Sequence, residues 1–118
     1  CTVAIVDDDE SIRKSVLRLF ETRGVKGEAF SSAADLFADA RLDSWDCLIL
    51  DVRMPGTNGL ELAAQLRQRG WDTPMIFISG FNDPEARARA REVGAVAFLL
   101  KPFDARCLLE TIERSLTR

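Results

Sequence analysis

The sequence predicts an α/β fold in which one five-stranded parallel sheet is covered by helices on both faces. Short runs of Val, Ile, Leu and Phe alternate five times with longer segments of helical periodicity. Several of these runs are apolar at nearly every position, as expected for strands buried on both faces. The length of 118 residues suits a single core. We therefore expect one domain over residues 1–118.

Five short apolar runs are predicted to form the strands. The run that contains Lys26, Gly27 and Glu28 is more polar than the others, which is typical of a strand at the edge of a sheet. The predicted strands are Thr2–Val6, Val25–Phe30, Cys47–Asp51, Met75–Ser79 and Val96–Leu100.

A helix is predicted after each strand. Residues favoured at helix N-caps precede the predicted helices, and they are Asp9, Ser32, Asn58, Asp83 and Asp104. Glycines typical of helix ends follow three of them, at Gly24, Gly70 and Gly94. In the last helix an apolar stripe predicts the buried face, which consists of Ala105, Leu108, Leu109, Ile112 and Leu116.

The composition argues against several classes of function. Lys and Arg total 16 against 19 Asp and Glu, so direct binding of nucleic acid is not expected. The spacing of Cys1, Cys47 and Cys107 and the absence of His argue against a zinc site or a disulfide framework. No apolar run is long enough to span a membrane, so we expect no membrane partner and a cytoplasmic setting. The start at Cys1 suggests part of a longer protein.

Chemically active side chains stand at the ends of four predicted strands. Asp7 and Asp8 follow the first strand, Asp51 ends the third, Ser79 ends the fourth and Lys101 follows the fifth. Each residue alone has an ordinary explanation as a helix cap, a turn residue or a solvated strand end. Because the carboxyl ends of parallel strands meet at one edge of the sheet, where such folds bind ligands, we expect these side chains to lie together.

The predicted cluster suits magnesium and phosphate. Neighbouring carboxylates repel each other unless a cation lies between them, and Mg²⁺ prefers carboxylates, water and phosphate oxygens. Asp8 and Asp51 could supply such ligands, and Lys101 could balance the charge of a transferred phosphoryl group. Attack by the Asp51 carboxylate would give an aspartyl phosphate that water can hydrolyse.

The motifs at these strand ends resemble those of the receiver domains of two-component response regulators, and the resemblance covers essentially the whole chain. The sequence is most similar to receivers of FixJ-type transcription factors. The resemblance implies a doubly wound, flavodoxin-like fold of three layers with strand order 2-1-3-4-5. The motifs that carry it are Val6-Asp7-Asp8-Asp9, Asp51-Val52-Arg53-Met54-Pro55-Gly56, Ser79-Gly80, Gly94-Ala95 and Phe98-Leu99-Leu100-Lys101-Pro102-Phe103.

The resemblance implies a metal site around a phosphorylated aspartate. Asp51 would accept the phosphoryl group and share in binding Mg²⁺, for which Mn²⁺ could substitute. Asp8 would bind the ion directly, Asp7 would help through water, and the backbone carbonyl of Arg53 would be a further ligand.

The resemblance also implies a switch. Ser79, beside Gly80, and Lys101 would bind phosphoryl oxygens, and the peptide bond between Lys101 and Pro102 would be cis. Phe98 would turn inward when the Ser79 hydroxyl closes on the phosphate.

The same resemblance implies the partners. A histidine kinase would donate the phosphoryl group, and an output domain outside this chain, transcriptional in type, would receive the signal. A homodimer through the fourth helix, fifth strand and fifth helix would form on activation. The domain would take part in its own phosphorylation and dephosphorylation without turning over an independent substrate.

Two other functions share parts of this pattern. A haloacid-dehalogenase-like phosphohydrolase also uses an Asp nucleophile with Mg²⁺, but its second Asp would stand where Arg53 stands, and the chain has no room for a substrate cap. A flavodoxin-like flavin or nucleotide binder would need a hydroxyl- or glycine-rich loop after the first strand to hold phosphate. Here that loop is Asp7-Asp8-Asp9-Glu10, which repels phosphate when no metal is bound.

Overall fold

The structure is a computed structural model that describes residues 1–39, 44–54, 56 and 58–116. The predicted motif residue Pro55 and the terminal Arg118 lie outside these ranges. Within these residues, five strands alternate with five helices. They are β1 (Thr2–Val6), α1 (Glu10–Glu21), β2 (Lys26–Phe30), α2 (Ala33–Ala38), β3 (Cys47–Asp51), α3 (Gly59–Gln68), β4 (Met75–Ser79), α4 (Pro84–Glu92), β5 (Ala97–Leu100) and α5 (Ala105–Leu116).

The five strands form one parallel sheet in the order β2-β1-β3-β4-β5. This order confirms the predicted doubly wound fold and the predicted edge position of β2. The three inner strands are buried almost throughout, whereas β2 and β5 at the edges are half-buried. The apolar runs of the sequence thus correspond to the strands covered on both faces.

Alternate residues of each inner strand point into two separate cores. In β1, Val3 and Ile5 pack with residues of α1 and α5, including Phe20 and Leu108. Ala4 and Val6 pack on the other face with residues of α2, α3 and α4. The result is a layer of helices on either side of the sheet, as the period of two along a strand requires.

Two predicted strands begin one residue too early. The Val25 N–H donates to the Phe20 carbonyl oxygen at the end of α1, at 3.0 Å, so the ladder of β2 starts at Lys26. The Val96 N–H does donate to Met75, at 2.8 Å, but the paired register of β5 starts at Ala97. The other three strands have the predicted bounds.

The predicted caps are present at all five helix starts. The side chains of the five predicted N-cap residues each accept a hydrogen bond from a backbone N–H of the first turn, and these residues are Asp9, Ser32, Asn58, Asp83 and Asp104. The predicted glycines that follow α1, α3 and α4 have positive φ, as at a helix C-terminus, and these are Gly24, Gly70 and Gly94.

The predicted buried face of α5 is partly wrong. Ala105 and Leu116 are exposed, whereas Thr111 and Ser115 are buried. The two hydroxyl groups donate to carbonyls of their own helix, Thr111 to Cys107 at 2.7 Å and Ser115 to Ile112 at 2.6 Å. Since each hydroxyl has a partner inside the helix, it can be buried without a lost hydrogen bond.

None of the helices within the described ranges combines the length and the apolar character that crossing a membrane requires. The three cysteines, all of them described residues, form no disulfide.

Candidate functional site

The carboxyl ends of four neighbouring strands bring the predicted residues together. Asp7 follows β1, Asp51 and Ser79 are the last residues of β3 and β4, and Lys101 follows β5. Asp7, Asp51 and Ser79 are almost completely buried, with exposed fractions of 0%, 3% and 2%. Asp8 is exposed beside them. The site is therefore an acidic pocket with buried walls and one open side.

Asp7 is held on several sides. Its N–H donates to the Phe30 carbonyl of β2 at 3.1 Å, and its Oδ1 accepts the Asp9 N–H at 2.9 Å. Its carbonyl oxygen accepts a hydrogen bond from Nη1 of Arg13 at 2.7 Å. These bonds fix both the backbone and the side chain of Asp7 at the end of β1.

Lys101 bridges the two buried carboxylates. Its Nζ lies 2.9 Å from Asp7 Oδ2 and 3.3 Å from Asp51 Oδ2. The contact with Asp51 has hydrogen-bond geometry, whereas the one with Asp7 is an ion pair that leaves Oδ2 without a well-directed hydrogen bond. The Lys101 N–H donates to the Ser79 carbonyl at 2.7 Å, and the peptide bond from Lys101 to Pro102 is cis.

The pocket opposes ionisation of Asp51. Burial, reinforced by the nearby Asp7 carboxylate, raises the pKa of Asp51 from 3.8 to about 7, although Lys101 and the Arg53 N–H act in the opposite direction. Burial also acts to lower the pKa of Lys101, but the attraction of Asp7 and Asp51 raises it overall. The ammonium is thus firmly protonated, while Asp51 titrates close to neutral pH.

The donor set fits a hard divalent cation. One carboxylate oxygen from each of Asp7, Asp8 and Asp51 lies within 4.8 Å of the other two. Asp7 Oδ2 is buried against the Lys101 ammonium at 2.9 Å, and a carboxylate oxygen has lone pairs for more than one partner. Oxygen donors of this kind match the preference of Mg²⁺. The cluster could therefore hold a metal ion.

Ser79 has an unused donor. Its Oγ accepts the Phe81 N–H at 3.1 Å, and no acceptor for its O–H occurs among the described residues. The hydroxyl therefore has a proton available for an oxygen in the pocket.

Two cation–π contacts flank the pocket. The Arg53 guanidinium lies 4.5 Å from the ring centroid of Phe81, whose side chain is 59% exposed. The Arg87 guanidinium of α4 lies 4.7 Å from the ring of Phe98 in β5, and its Nε donates to Asn82 Oδ1 at 2.8 Å. Arg87 thus links the loop after Ser79 to Phe98.

Two residues near the site were missed in the sequence. Gly59, the first residue of α3, packs so closely on the end of β3 that a Cβ there would overlap the Asp51 carbonyl oxygen. Arg13 contacts the backbone of Asp7. Each residue is unusual at its position in the sequence. Gly59 stands in the first turn of a helix, where glycine has a poor helix propensity. Arg13 stands near a helix N-terminus, where the helix dipole disfavours a cation.

The fold and the site together define an α/β domain with a candidate cation site at the carboxyl edge of its sheet, and comparisons with known proteins identify its family. Residues 3–113 match the model of the response regulator receiver domain family. Nodulation protein W of Bradyrhizobium diazoefficiens is 40% identical over 110 residues, which cover 93% of this chain and 48% of that protein. The transcriptional regulatory protein FixJ of Azorhizobium caulinodans is 38% identical over 117 residues, covering 98% and 55%.

Solved structures agree with the sequence relatives. The chemotaxis protein CheY4 of Vibrio cholerae has a TM-score of 0.90 at 31% identity and covers 98% of both chains. FixJ-N has a TM-score of 0.87 at 34% identity, covering 99% of this chain and 94% of that one. This chain belongs to the response regulator receiver domain family. The predicted family, fold and class of function, a receiver of two-component signalling, are therefore confirmed.

The chain spans about half the length of the curated relatives it matches. What those longer proteins do through their remaining halves is a separate question from what this domain does.

Proposed function

We propose that this domain is a phosphorylation switch in which Asp51 accepts a phosphoryl group from a histidine kinase in the presence of Mg²⁺. The observation that carries the proposal is the buried cluster at the sheet edge, where Lys101 Nζ lies 3.3 Å from Asp51 Oδ2 and Asp7 and Asp8 complete an acidic set. Burying charged groups in this way lowers the stability of the fold. A cluster of this kind therefore indicates a function in which it binds charged ligands.

The proposed metal ligands are Asp8 and Asp51 directly, Asp7 through water, and the backbone carbonyl of Arg53. When bound, Mg²⁺ supplies positive charge against the phosphoryl oxygens, and Mn²⁺ is expected to substitute for it. The buried Oδ2 of Asp7 supports this assignment, because a carboxylate oxygen that pairs with Lys101 at 2.9 Å can still accept a hydrogen bond from a hydrated ion.

The proposed transfer step uses Asp51 as the nucleophile. A carboxylate oxygen of Asp51 attacks phosphorus while the bond from phosphorus to the kinase histidine nitrogen breaks, and the imidazole leaves with that electron pair. With a pKa of about 7, Asp51 is only about half ionised at neutral pH, and a bound cation would increase the ionised fraction. Lys101 lies close enough to pair first with the Asp51 carboxylate and then with the oxygens of the transferred phosphoryl group.

The proposed switch follows from the new phosphoryl oxygens. The free O–H of Ser79, beside Gly80, would donate to one of them, and Lys101 would pair with another. Movement of the Ser79 loop would leave space for Phe98 to turn inward, away from the Arg87 guanidinium that now covers its ring. Phosphorylation shifts this equilibrium only through contacts that differ between the two states.

The proposed partners are a histidine kinase, an output domain and a second copy of the chain. A groove lined by Ile12, Leu19, Pro102 and Phe103 lies beside Lys101 and offers an apolar surface for a kinase helix. Two relatives are transcriptional regulators by name, DctR of Rhodobacter capsulatus and FixJ, which supports a transcriptional output domain. The net charge of −3 argues against direct contact of this domain with nucleic acid.

A second copy would contact α4, β5 and α5. Arg89 and Arg91 are exposed on α4, while Glu110 and Glu113 are exposed on α5. A two-fold arrangement that faces α4 with α5 of the other copy would bring these opposite charges together.

Covalent labelling tests the proposed function. Acetyl phosphate with Mg²⁺ should add one phosphoryl group to the chain, detected by intact-mass spectrometry, and Asp51→Asn should abolish the addition. Asp46→Asn, on the exposed loop at the other end of β3, is the matched control and should be labelled normally. Labelling that persists in Asp51→Asn would refute the proposal. Steady turnover of an external phosphomonoester would refute the assignment as a switch without its own substrate.

A further inference from the structure

Arg13 has no role in the proposed transfer or switch, yet it contacts the backbone of the site. Its Nη1 donates to the Asp7 carbonyl oxygen at 2.7 Å. Arg13 is half-buried, and no carboxylate of the described residues lies within ion-pair distance of it. A guanidinium carries five donors suited to a carboxylate, so its use on a single backbone carbonyl needs an explanation.

The position of the Asp7 carbonyl oxygen affects the orientation of two acidic side chains, those of Asp7 and Asp8. This oxygen belongs to the peptide that joins Asp7 to Asp8, and the peptide is planar. Holding this oxygen in place therefore fixes the peptide plane with both Cα atoms, and with them the direction in which the side chains of Asp7 and Asp8 leave the backbone. No backbone N–H of the described residues donates to this oxygen, so Arg13 supplies the donor that a neighbouring strand supplies elsewhere in the sheet.

The position of Arg13 opposes two electrostatic preferences. Asp9 is the N-cap of α1, so Arg13 lies at the end of the first turn, near the positive end of the helix dipole. A cation next to a cation site also repels the ion that the site binds. Neither effect favours an arginine here, so the bond to the Asp7 carbonyl and the attraction of the nearby acidic side chains are the favourable interactions.

We infer that Arg13 is a positioning residue for the divalent-cation site: it fixes the Asp7–Asp8 peptide so that both carboxylates are arranged toward Asp51 before the ion binds. The inference rests on the proposed function, because it takes these three carboxylates to hold Mg²⁺. Partners that orient metal ligands typically contribute roughly 10–100-fold to metal affinity.

Substitution of Arg13 by Met separates positioning from charge, because the two effects have opposite signs. Loss of the hydrogen bond should weaken Mg²⁺ binding by about tenfold or more. Loss of the positive charge alone should strengthen Mg²⁺ binding, since a repulsion is removed. Isothermal titration of the 118-residue chain with Mg²⁺ gives the affinity without any phosphoryl transfer.

Lys14→Met is the matched control. Lys14 follows Arg13 directly, is exposed and pairs with Glu10 at 3.1 Å, so the variant loses the same charge without touching Asp7. Its affinity for Mg²⁺ should equal or slightly exceed that of the unsubstituted chain. Arg13→Lys keeps a charged donor and should retain an intermediate affinity, and it replaces Arg13→Met as the test variant where the latter does not fold.

The outcomes distinguish the inference from the proposed function. An unsubstituted chain that binds no Mg²⁺ refutes the metal site itself. A chain that binds Mg²⁺, with Arg13→Met binding as tightly or more tightly, overturns the role of Arg13 alone. A lower thermal midpoint of Arg13→Met in EDTA, with unchanged Mg²⁺ affinity, assigns Arg13 to folding and also overturns the inference.

Discussion

Asp51 is buried, although the proposed phosphoryl transfer requires its carboxyl group to be charged. Only 3% of the residue is exposed, and burial together with Asp7 raises its pKa to about 7. Lys101 at 3.3 Å reduces this penalty without removing it. In the absence of a metal ion, the ionised form of Asp51 is therefore a source of instability in the folded domain.

The pKa of Asp51 predicts how stability depends on pH. Below 3.8 the carboxyl group is protonated in both the folded and the unfolded chain. Between 3.8 and about 7 the unfolded chain releases the proton while the folded chain retains it, so the free energy of unfolding falls as the pH rises. Asp51→Asn does not titrate and should be more stable than the unsubstituted chain at pH 8, with a smaller difference at pH 4.

Urea unfolding in EDTA at the two pH values measures this difference, and Asp72→Asn on an exposed loop residue is the matched control. Added Mg²⁺ should stabilise the unsubstituted chain at pH 8 more than Asp51→Asn, because the ion binds the ionised carboxylate. Equal stabilities of the two chains at pH 8 in EDTA would contradict the prediction.

At the scale of elements, the start of α3 is packed directly against the end of β3. The Gly59 N–H donates to the Val52 carbonyl at 3.0 Å, and a Cβ on Gly59 would lie 2.9 Å from the Asp51 carbonyl carbon. The glycine therefore lets α3 begin close to the end of β3. A side chain at this position has to displace either α3 or Asp51.

Gly59→Ala should consequently destabilise the domain, although alanine is normally the better helix former. Overpacking of this kind costs roughly 1–3 kcal/mol. Gly80→Ala is the control, since nothing lies within 4 Å of a Cβ there, and its effect should stay within about 0.5 kcal/mol. Urea unfolding gives the free energy of unfolding of both variants. A higher free energy of unfolding for Gly59→Ala than for the unsubstituted chain would contradict the prediction, because it would show that α3 shifts without loss of stability.

The link between α4 and β5 gives a second prediction at this scale. Arg87 stacks on Phe98 and binds Asn82, so it stabilises the orientation of Phe98 seen in this structure. A contact of this type contributes about 0.5–1 kcal/mol. Arg87→Ala should therefore favour the inward orientation and increase the apparent affinity for beryllium fluoride with Mg²⁺ by about two- to fivefold.

Arg18→Ala controls for the loss of charge. Arg18 is exposed on α1, which packs on the opposite face of the sheet from α4 and outside the proposed dimer surface. Binding isotherms of the phosphoryl analogue, followed by ¹⁹F spectra of fluorophenylalanine-labelled chain, report both affinity and ring orientation. Equal isotherms for the two variants would remove Arg87 from the switch.

Elements and strand ends were predictable from the sequence because both depend on local patterns. The inner strands are apolar throughout, and the chemically active residues follow them directly, so the parallel topology places Asp7, Asp51 and Lys101 together. The hydroxyl of Thr111 can be buried because it donates to a backbone carbonyl of α5. The close approach of Gly59 to Asp51 depends on how α3 packs against β3. No spacing rule in the sequence encodes those contacts.

At the scale of the whole molecule, the two edges of the sheet differ. β2 carries the exposed Lys26, a charge that discourages pairing with another strand. β5 ends instead in Leu100, a leucine that is 36% exposed. An exposed leucine at the edge of the sheet is a surface that a second copy of the chain would bury.

Activation should therefore form a dimer that Leu100 stabilises. With beryllium fluoride and Mg²⁺, the unsubstituted chain is expected to move from monomer to dimer in sedimentation velocity. Burial of a leucine contributes about 1.5–3 kcal/mol, so Leu100→Lys should weaken the dimer by about tenfold or more. Lys26→Glu, at the opposite edge, should leave it unchanged, because β2 lies on the far side of the sheet. A dimer of Leu100→Lys as tight as that of the unsubstituted chain would place the interface elsewhere.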